Sequence, residues 1–483
     1  MLVSYAAQAK SAACQIAIFK IIADAGGIYA CDWVGFRVEL RPQMTDKPLQ
    51  LGLAGLGTVG TGVYETLCRN HELLEARAQM KYAVKKVAVR DVRRTRDVQI
   101  APEMITSDWR DLVNDPDIDI IIELIGGTSD AYELVTSALK AGKPVVTGNK
   151  ALLAEHGSEL FKLSAEQGVP LYFEASCGGG IPIIQSLQNS LICNNVESVA
   201  GIINGTSNYI LSSMERKGVS FESALTRAQA KGFAEADPTL DINGWDAAHK
   251  ALILAMLAYG TPISPEKISV YGIERVTAAD FRFAHQMGYT IKLLVVIKHH
   301  ADTDALELRV QPSFVPREHL LANVNGVFNA IAVKGDIVGE TIFYGRGAGK
   351  NPTASAVIGD IVMAMRDLHH PEFHTGFHPY TKTLEIMPQE DTITPYYVRF
   401  LVPSRRSGVI AAIARVLAKY DISISSTYST PHEEDDTENV ENDLVFTLHA
   451  CKWGHLKTAL KEIAAEGCIA PHPAVFRIET FNS

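Results

Sequence analysis

A glycine-rich run at Gly55–Gly60, which reads GLGTVG, constrains the fold of this chain more than any other feature. It follows an apolar run, Leu49–Ala54, that predicts a strand, and it opens Thr58–Arg69, which predicts a helix. The first glycine permits a tight turn, the second lets the backbone approach a pyrophosphate, and the third lets helix and strand pack closely. The free N–H groups at the helix start favour phosphate.

This context predicts a dinucleotide site, and the alternative is a glycine-rich turn that binds no ligand. The residues expected to contact the dinucleotide are Gly55, Gly57, Thr58, Val59 and Gly60.

The end of the second predicted strand, Lys86–Val89, is expected to select the dinucleotide. An acidic residue there favours a ribose hydroxyl, whereas an arginine accommodates a 2′-phosphate. Arg90 and then Asp91 follow the strand, with further arginines close behind. We predict NADP(H) rather than NAD(H), with Arg90 on the phosphate. The alternative is that Arg90 caps a solvated loop and Asp91 binds the ribose.

Length and composition are those of a soluble globular chain. The 483 residues allow about two to four domains, and 47% hydrophobic with 21% charged residues excludes a disordered or fibrous class. A net charge of −10 gives no electrostatic reason to expect nucleic acid or an anionic membrane as a partner. No apolar run is long enough to span a membrane. Seven cysteines without a CxxC pair indicate neither a disulfide framework nor a zinc site, and favour a cytoplasmic setting.

Alternating strand-like and helix-like runs over 48–178 predict a Rossmann-type α/β domain with a parallel sheet. Residues 179–344 predict an α+β domain, 371–393 a linker, and 394–475 a βαββαβ unit of ferredoxin-like arrangement. Further predicted strands are Asp119–Glu123, Val145–Thr147, Leu171–Glu174, Ile291–Lys298, Ala305–Val310, Tyr397–Val402, Ile422–Tyr428, Leu444–Ala450 and Val475–Ile478, and further predicted helices are Asp130–Ala141, Gly244–Tyr259, Gly408–Tyr420 and His455–Glu466.

The residue pattern of 1–43 differs from that of the short polar segment and the predicted strand that follow it. We expect Met44 to be the natural start and 1–43 to be an extension. The alternative is an extra helix packed on the first domain.

A short stretch, 228–250, carries four acidic residues and ends on a lysine. Asp246 and Lys250 are four residues apart on a predicted helix with a strongly apolar face. An ordinary i,i+4 salt bridge, worth about 0.2–0.5 kcal/mol, is the structural alternative. The additional Glu235 and Asp241 are hard to explain by stability. Carboxylates around an ammonium suit a substrate with its own positive charge, and a lysine can give a proton to a developing alkoxide.

This stretch and several further motifs resemble the homoserine dehydrogenase family. They occur in the family's order from about residue 49 to 365. The motifs are GLGTVG at Gly55–Gly60, GGT at Gly126–Thr128, TGNKA at Thr147–Ala151, EASCGGGIP at Glu174–Pro182, NGTSNY at Asn204–Tyr209, the acidic stretch 228–250, and YGRGAG at Tyr344–Gly349.

The resemblance implies a reversible, NAD(P)-linked reduction of L-aspartate 4-semialdehyde to L-homoserine, in threonine, methionine and isoleucine biosynthesis. It implies that Lys250 protonates or stabilises the substrate oxygen and that Glu235 and Asp246 hold the ammonium and hydroxyl end. Asp241 would support Lys250. Lys150, just past a predicted strand, is expected beside the nicotinamide and the substrate.

Two further groups of contacts follow from the resemblance. Asn204, Gly205 and Thr206 are expected to line the amino-acid pocket, although a helix cap by Asn204 or Thr206 is an equally compatible role. Residues 345–370 are implied to complete the first domain and close over the dinucleotide. The implied cofactor contacts are Gly127, Thr128, Lys150 and Gly347.

The glycine-rich loop from Glu174 to Ile181 is implied to wrap a monovalent cation, sodium, through carbonyl oxygens. The residues carried over are Glu174, Cys177, Gly179 and Ile181. A rival interpretation makes Cys177 a thiol nucleophile, as in aldehyde-oxidising dehydrogenases, but no histidine base stands out in the sequence.

Residues 394–470 resemble an ACT domain, a module that binds amino acids at subunit interfaces. The usual Asp and Pro before Gly408 are missing. We expect feedback inhibition by L-threonine, with dimerisation alone as the alternative, in a homodimer or homotetramer. We also expect a monofunctional enzyme, since no aspartokinase-like segment precedes Met44.

A hypothesis of another class is a non-catalytic nucleotide and amino-acid sensor on the same fold. The presence of Lys150, Glu235, Asp246 and Lys250 argues against it, because a sensor needs no proton donor.

Overall fold

The computed structural model describes residues 30–33, 36–39, 47–370, 377, 383–403, 407–430, 441–467 and 469–481. Strands β1 (Ala30–Trp33) and β2 (Phe36–Glu39) form an antiparallel pair. The rest of the expected extension, 1–43, lies outside the described residues.

The first domain is built on six parallel strands in the order β5-β4-β3-β6-β7-β8. This confirms the predicted Rossmann-type α/β fold. The strands are β3 (Leu49–Ala54), β4 (Tyr82–Ala88), β5 (Ile105–Thr106), β6 (Ile120–Glu123), β7 (Val145–Thr147) and β8 (Leu171–Tyr172), and the helices are α1 (Thr58–Arg69), α2 (His71–Ala78), α3 (Arg110–Val113), α4 (Ser129–Lys140) and α5 (Lys150–Gln167).

Two strand boundaries of the first domain differ from prediction by two or more residues. The apolar run at 171–174 leaves the sheet after Tyr172, and Glu174 opens a 3₁₀ turn, because its carboxylate accepts backbone N–H groups from Ile184 and Gln185. Strand β4 begins at Tyr82 rather than Lys86. The sequence pattern there is broken by Lys85, whose ammonium leaves the sheet to bind Asp115 at 2.7 Å.

The second domain places helices on one face of a mixed sheet. Its strands pair in the order β14-β13-β9-β11-β12, with β10 beside β12. The strands are β9 (Val196–Ile202), β10 (Ser269–Val270), β11 (Tyr289–His300), β12 (Ala305–Pro316), β13 (Phe328–Gly335) and β14 (Gly339–Arg346), and the helices are α6 (Ile183–Gln185), α7 (Gly205–Lys217), α8 (Phe221–Ala230), α9 (Thr239–Ile242), α10 (Trp245–Tyr259) and α11 (Ala278–Gln286).

Helix α12 (Lys350–His369) returns from the second domain to the first. Its apolar side chains, including Val357 and Ile361, join the same core cluster as Leu51 and Val63 of the parallel sheet and α1. A Cβ on Gly62 of α1 would lie 3.3 Å from the Ala354 Cβ, which shows how closely the two helices pack.

The carboxyl-terminal unit has the predicted βαββαβ order, and its strands pair as β19-β16-β18-β17. This is a ferredoxin-like arrangement. The predicted acidic hairpin tip at 432–443 lies mostly outside the described residues. The elements are β15 (Glu385–Ile386), β16 (Ile393–Pro403), α13 (Val409–Lys419), β17 (Ile424–Thr430), β18 (Glu441–Lys452), α14 (Trp453–Ala465) and β19 (Ala474–Ile478).

Parts of the stretch predicted as a linker, 371–393, contact the folded domains. Phe377 is buried and lies edge-on to Phe161, with ring centroids 4.8 Å apart. Strand β15 pairs with β12, and β12 also pairs with β19, so the second domain and the carboxyl-terminal unit share one continuous sheet.

Candidate active site

The glycines of the turn Gly55–Gly60 have different surroundings: Gly55 and Gly60 pack against backbone atoms, whereas Gly57 faces open space. A Cβ on Gly55 would lie 2.4 Å from the Leu124 carbonyl oxygen, and one on Gly60 would lie 2.1 Å from the Gly55 oxygen. By contrast, a Cβ on Gly57 would meet no described atom within 4 Å. Gly57 and Thr58 are exposed, and no side chain caps α1. The backbone therefore presents free N–H groups to an open space that fits a dinucleotide phosphate.

A buried acid that the sequence analysis did not single out, Glu123, fixes the neighbouring glycine turn. Its carboxylate accepts N–H bonds from Ile125 at 2.9 Å and Gly126 at 3.3 Å, and a hydroxyl bond from Thr147. Burial raises its pKa. An acid that ends an otherwise apolar strand was the sequence signal for this role.

The same edge of the sheet holds the turn Gly126–Gly127, in which both residues have positive φ, and Thr128 directly before α4. Asn149 Nδ2 donates to the Gly127 oxygen at 2.7 Å, and Asn149 Oδ1 caps α5. This arrangement puts Lys150 at the carboxyl end of β7, where open α/β sheets bind ligands.

Arg90 is exposed two residues past the end of β4, and the structure describes no partner for its guanidinium. Asp91, the alternative ribose ligand, accepts the Arg93 N–H at 2.9 Å, and its carbonyl accepts from Arg96 at 2.6 Å. The acid is thus engaged in its own turn while the Arg90 side chain faces solvent.

Asp246 and Lys250 lie one turn apart at the start of α10, and each is 9% exposed. The helix begins after Gly244, whose φ of 89° turns the chain into it. Lys250 Nζ donates to Asp246 Oδ2 at 2.7 Å and to the Ile203 carbonyl oxygen at 2.7 Å. The pair is buried and hydrogen-bonded, unlike the exposed salt bridge of the structural alternative.

Asp246 also collects groups from other elements. Its Oδ1 lies 3.1 Å from Lys150 Nζ of α5, and its Oδ2 accepts from Asn204 Nδ2 at 2.8 Å. The same Asn204 nitrogen donates to Asp241 Oδ1 at 2.7 Å. The structure therefore brings together Lys150, Asp241, Asp246 and Lys250.

Asp246 and Lys250 stabilise each other's charged forms, whereas the charged form of Asp241 is disfavoured. Burial acts to raise the pKa of Asp246, but the ammonium groups of Lys250 and Lys150 overcome it and hold that pKa below its usual value. Burial acts to lower the pKa of Lys250, yet Asp246 raises it above the ordinary value. Burial raises the pKa of Asp241, and the Asp246 charge adds to the rise. Asp246 is therefore a carboxylate and Lys250 an ammonium at neutral pH.

Glu235 is not brought into this cluster. It is exposed, and its described hydrogen bond is through the backbone oxygen, which accepts from Gln229 Nε2 at 3.2 Å. Thr206 Oγ1 donates to the Phe233 oxygen at 2.7 Å, which ties the start of α7 to the loop before Glu235. Gly205 is the first residue of α7, next to Asn204.

The loop from Glu174 to Ile181 packs against the turn that precedes α12. Gly179 has a φ of 59°, and a Cβ there would lie 2.4 Å from the carbonyl carbon and oxygen of Gly347. Within the described ranges no cluster of three or more His, Cys, Asp or Glu side chains could hold a metal ion. The loop does offer backbone carbonyl oxygens, which are hard ligands of the kind that such a cation prefers. The Glu174 oxygen accepts one N–H from Cys177 and the Ile181 oxygen one from Ile183, which leaves each a second lone pair.

The thiol of Cys177 is fully buried, and burial raises its pKa to about 12. Because the thiolate is the nucleophilic form, this placement counts against the rival interpretation of Cys177 as a nucleophile.

Comparison with known proteins gives a consistent result. A homoserine dehydrogenase family model matches residues 182–362, and a homoserine dehydrogenase NAD-binding-domain model matches 55–174. A homoserine dehydrogenase of Pseudomonas aeruginosa is 44% identical over 395 residues, covering 81% of this chain and 90% of the relative. One of Neisseria gonorrhoeae is 40% identical over 442 residues, covering 90% and 100%. The chain belongs to the homoserine dehydrogenase family.

Solved structures of the family agree. The crystal structure of a homoserine dehydrogenase from Thiobacillus denitrificans matches with a TM-score of 0.83 at 41% identity and covers 90% of this chain and 99% of that one. A hyperthermophilic archaeal homoserine dehydrogenase in complex with NADPH matches with a TM-score of 0.56 at 25% identity, covering 68% and 99%. The chain is thus an NAD(P)-dependent oxidoreductase. In the part that the structure describes, no helix is long and apolar enough to cross a membrane.

Two glycines of the turn give a matched test of the dinucleotide site. Gly57→Ala should leave the thermal midpoint near wild type but weaken NADPH binding, because the new methyl group enters the open space. Gly60→Ala should lower the midpoint itself, because its Cβ would overlap the Gly55 oxygen. Thermal unfolding and NADPH titration separate the effects. Unweakened NADPH binding by Gly57→Ala would place the phosphates elsewhere.

Proposed function

We propose that this enzyme reduces L-aspartate 4-semialdehyde to L-homoserine with NADPH, reversibly, and that Lys250 is the group that meets the substrate oxygen. The observation that carries the proposal is the buried Lys250–Asp246 pair with Lys150 and Asp241 around it. The nicotinamide of the bound cofactor supplies the hydride.

Lys250 is suited to hold and deliver a proton. An ammonium has three hydrogens, and two of them are taken by Asp246 Oδ2 and the Ile203 oxygen. One hydrogen remains for an oxygen that gains negative charge. Asp246 keeps the lysine protonated and fixes its direction, which supports a role as general acid towards an alkoxide.

The remaining polar residues are proposed to hold the amino-acid end. Lys150 has a side chain that is 40% exposed, so it can reach a ligand while it contacts Asp246. Gly205 and Thr206 offer N–H groups at the start of α7, since the Asn204 side chain caps only the N–H of Ser207. Glu235 remains a proposed contact to the substrate ammonium, because its exposed carboxylate has no described partner to release first.

We propose NADP(H) as the preferred cofactor and Arg90 as the 2′-phosphate contact. The exposed Arg90 guanidinium just past β4, for which the described residues offer no partner, and the engagement of Asp91 in its own turn support this choice. So does the archaeal relative that was solved with NADPH.

We also propose a sodium ion on the carbonyl oxygens of Glu174, Cys177, Gly179 and Ile181.

We propose a cytoplasmic homo-oligomer, a dimer or tetramer. Exposed apolar side chains gather beside the β13–β14 hairpin, with Ile192 68%, Ile337 71% and Val338 49% exposed. Asn194, two residues after Ile192, accepts the Val338 N–H, which brings these two segments of the chain together. The described cysteines Cys68, Cys177, Cys193 and Cys451 are free thiols, as in a reducing compartment.

Lys250→Met removes the ammonium and keeps most of the stem. We expect kcat for NADPH oxidation with L-aspartate 4-semialdehyde to fall about 10²–10⁴-fold, because the proton donor is lost, with NADPH affinity nearly unchanged. Lys143→Met is the control, since this buried lysine binds only backbone carbonyls in the first domain. Comparable turnover in Lys250→Met would remove Lys250 from the chemistry, and an inactive wild type would favour a sensor.

Arg90→Ala should weaken NADPH binding about 10–100-fold and leave NADH binding nearly unchanged, since only NADPH carries the 2′-phosphate that a charge-assisted hydrogen bond would hold. Titration of both cofactors measures the difference. Arg110→Ala, on an exposed arginine paired with Glu133, is the control. Equal losses for the two cofactors would refute the phosphate role.

We propose that the carboxyl-terminal unit is an ACT-type domain that binds L-threonine and lowers activity. Its ferredoxin-like strand order and its sheet continuity with the second domain support this. Titration with L-threonine should reduce the steady-state rate, with L-valine as the matched control because it replaces the hydroxyl by a methyl group. A flat response to threonine would leave the unit a structural role only.

A further inference from the structure

The carboxamide of Asn204 joins the two acids of the site. The residue lies between β9 and α7 and is 6% exposed. Its Nδ2 donates to Asp241 Oδ1 at 2.7 Å and to Asp246 Oδ2 at 2.8 Å, and its Oδ1 accepts the Ser207 N–H at 2.7 Å. A primary amide has two hydrogens to donate, so both are spent on carboxylates.

The position of this amide has an electrostatic consequence. Asp246 is buried and Asp241 is half-buried. Two carboxylates in such a setting repel without a donor between them, which favours a turn of one away from the other or the uptake of a proton. Asp246 Oδ2, which Asn204 holds, is the same oxygen that accepts from Lys250 Nζ. If that oxygen turned away, the ammonium would lose its acidic partner.

The residue before Asn204 contributes to the same arrangement. The Ile203 carbonyl oxygen accepts a hydrogen bond from Lys250 Nζ. Ser207 Oγ donates to the backbone carbonyl oxygen of Asp241 at 2.6 Å. The corner between β9 and α7 thus contacts Lys250, the Asp246 carboxylate, and the loop that carries Asp241. A helix cap alone requires only the Asn204 oxygen.

We propose that Asn204 is a positioning residue for the reaction: its amide holds Asp246 in the orientation that binds Lys250 and so aims the remaining ammonium hydrogen at the substrate oxygen. This inference rests on the proposed function of Lys250. It assigns to the two amide hydrogens a role that is separate from the capping role of the amide oxygen.

Asn204→Ser separates these roles, because a serine hydroxyl also caps a helix but cannot donate to two carboxylates. We expect kcat to fall about 10–100-fold, as for a small misplacement of a catalytic group, while KM for NADPH stays close to wild type and the thermal midpoint falls by about as much as in the control variant described below. The deuterium isotope effect on kcat, measured with NADPH labelled at the transferred position, should rise as the chemical step becomes limiting.

Asn208→Ser is the matched control. Asn208 lies one turn further along α7, is 1% exposed, and donates only to the backbone oxygens of Val324 and Phe328. Loss of this amide should lower the thermal midpoint and leave kcat within about twofold of wild type, because no acid of the site depends on it.

Wild-type kcat in Asn204→Ser, or an equal fall of kcat in Asn208→Ser, would overturn the inference. If Asn204→Ser does not fold, Asn204→Asp keeps the shape and the cap and replaces donors by acceptors. The same loss of kcat is expected there, and wild-type turnover would again overturn the inference. A wild-type enzyme without activity on the semialdehyde would instead refute the proposed function.

Discussion

The Asp246 carboxylate is the group on which the site depends, because it collects cations from both domains. Lys150 begins α5 of the first domain, whereas Lys250 follows Asp246 on α10 of the second. Removing two opposite charges from water costs several kcal/mol, so a buried pair is weak evidence for stability. The pair instead holds a protonated lysine in a buried position. In such a position the neighbouring acid Asp241 also needs a hydrogen-bond donor, which Asn204 supplies.

The need for hydrogen-bond donors around these acids explains why the site lies where it does in the fold. Residues that follow β6 and β7 meet at one edge of the parallel sheet, and the start of α7 follows β9 of the second sheet. Such ends leave backbone N–H groups and polar side chains free of regular pairing, so Glu123, Asn149 and Asn204 can each cap a turn or helix. The apolar remainder of α10 anchors Lys250 against the core.

Local pattern was enough to predict the parallel-sheet domain, the ferredoxin-like unit, and the Asp246–Lys250 pair on one helical face, since strand runs, glycine spacing and a polar pair on an apolar helix are all short-range signals. It was not enough for contacts between distant segments. The bonds from Asn204 to Asp241 and Asp246 span 37 and 42 residues. The resemblance implies that both Glu235 and Asp246 hold the substrate, and the structure buries Asp246 but leaves Glu235 exposed. Nothing local in the sequence states which of these acids turns inward.

The junction between the second domain and the carboxyl-terminal unit constrains how the two can move. Arg309 on β12 binds Glu479, which follows β19, through two hydrogen bonds of 2.7 and 2.8 Å, and Arg399 on β16 binds Asp280 on α11. Leaving one member of such a buried pair unpartnered costs about 3–5 kcal/mol. A displacement of β19 along β12 would break pairs of this kind together with the sheet bonds. The two units are therefore joined through both β12 and α11, and β12 also pairs with β10, whose Val270 lies against Gly244 at the start of α10.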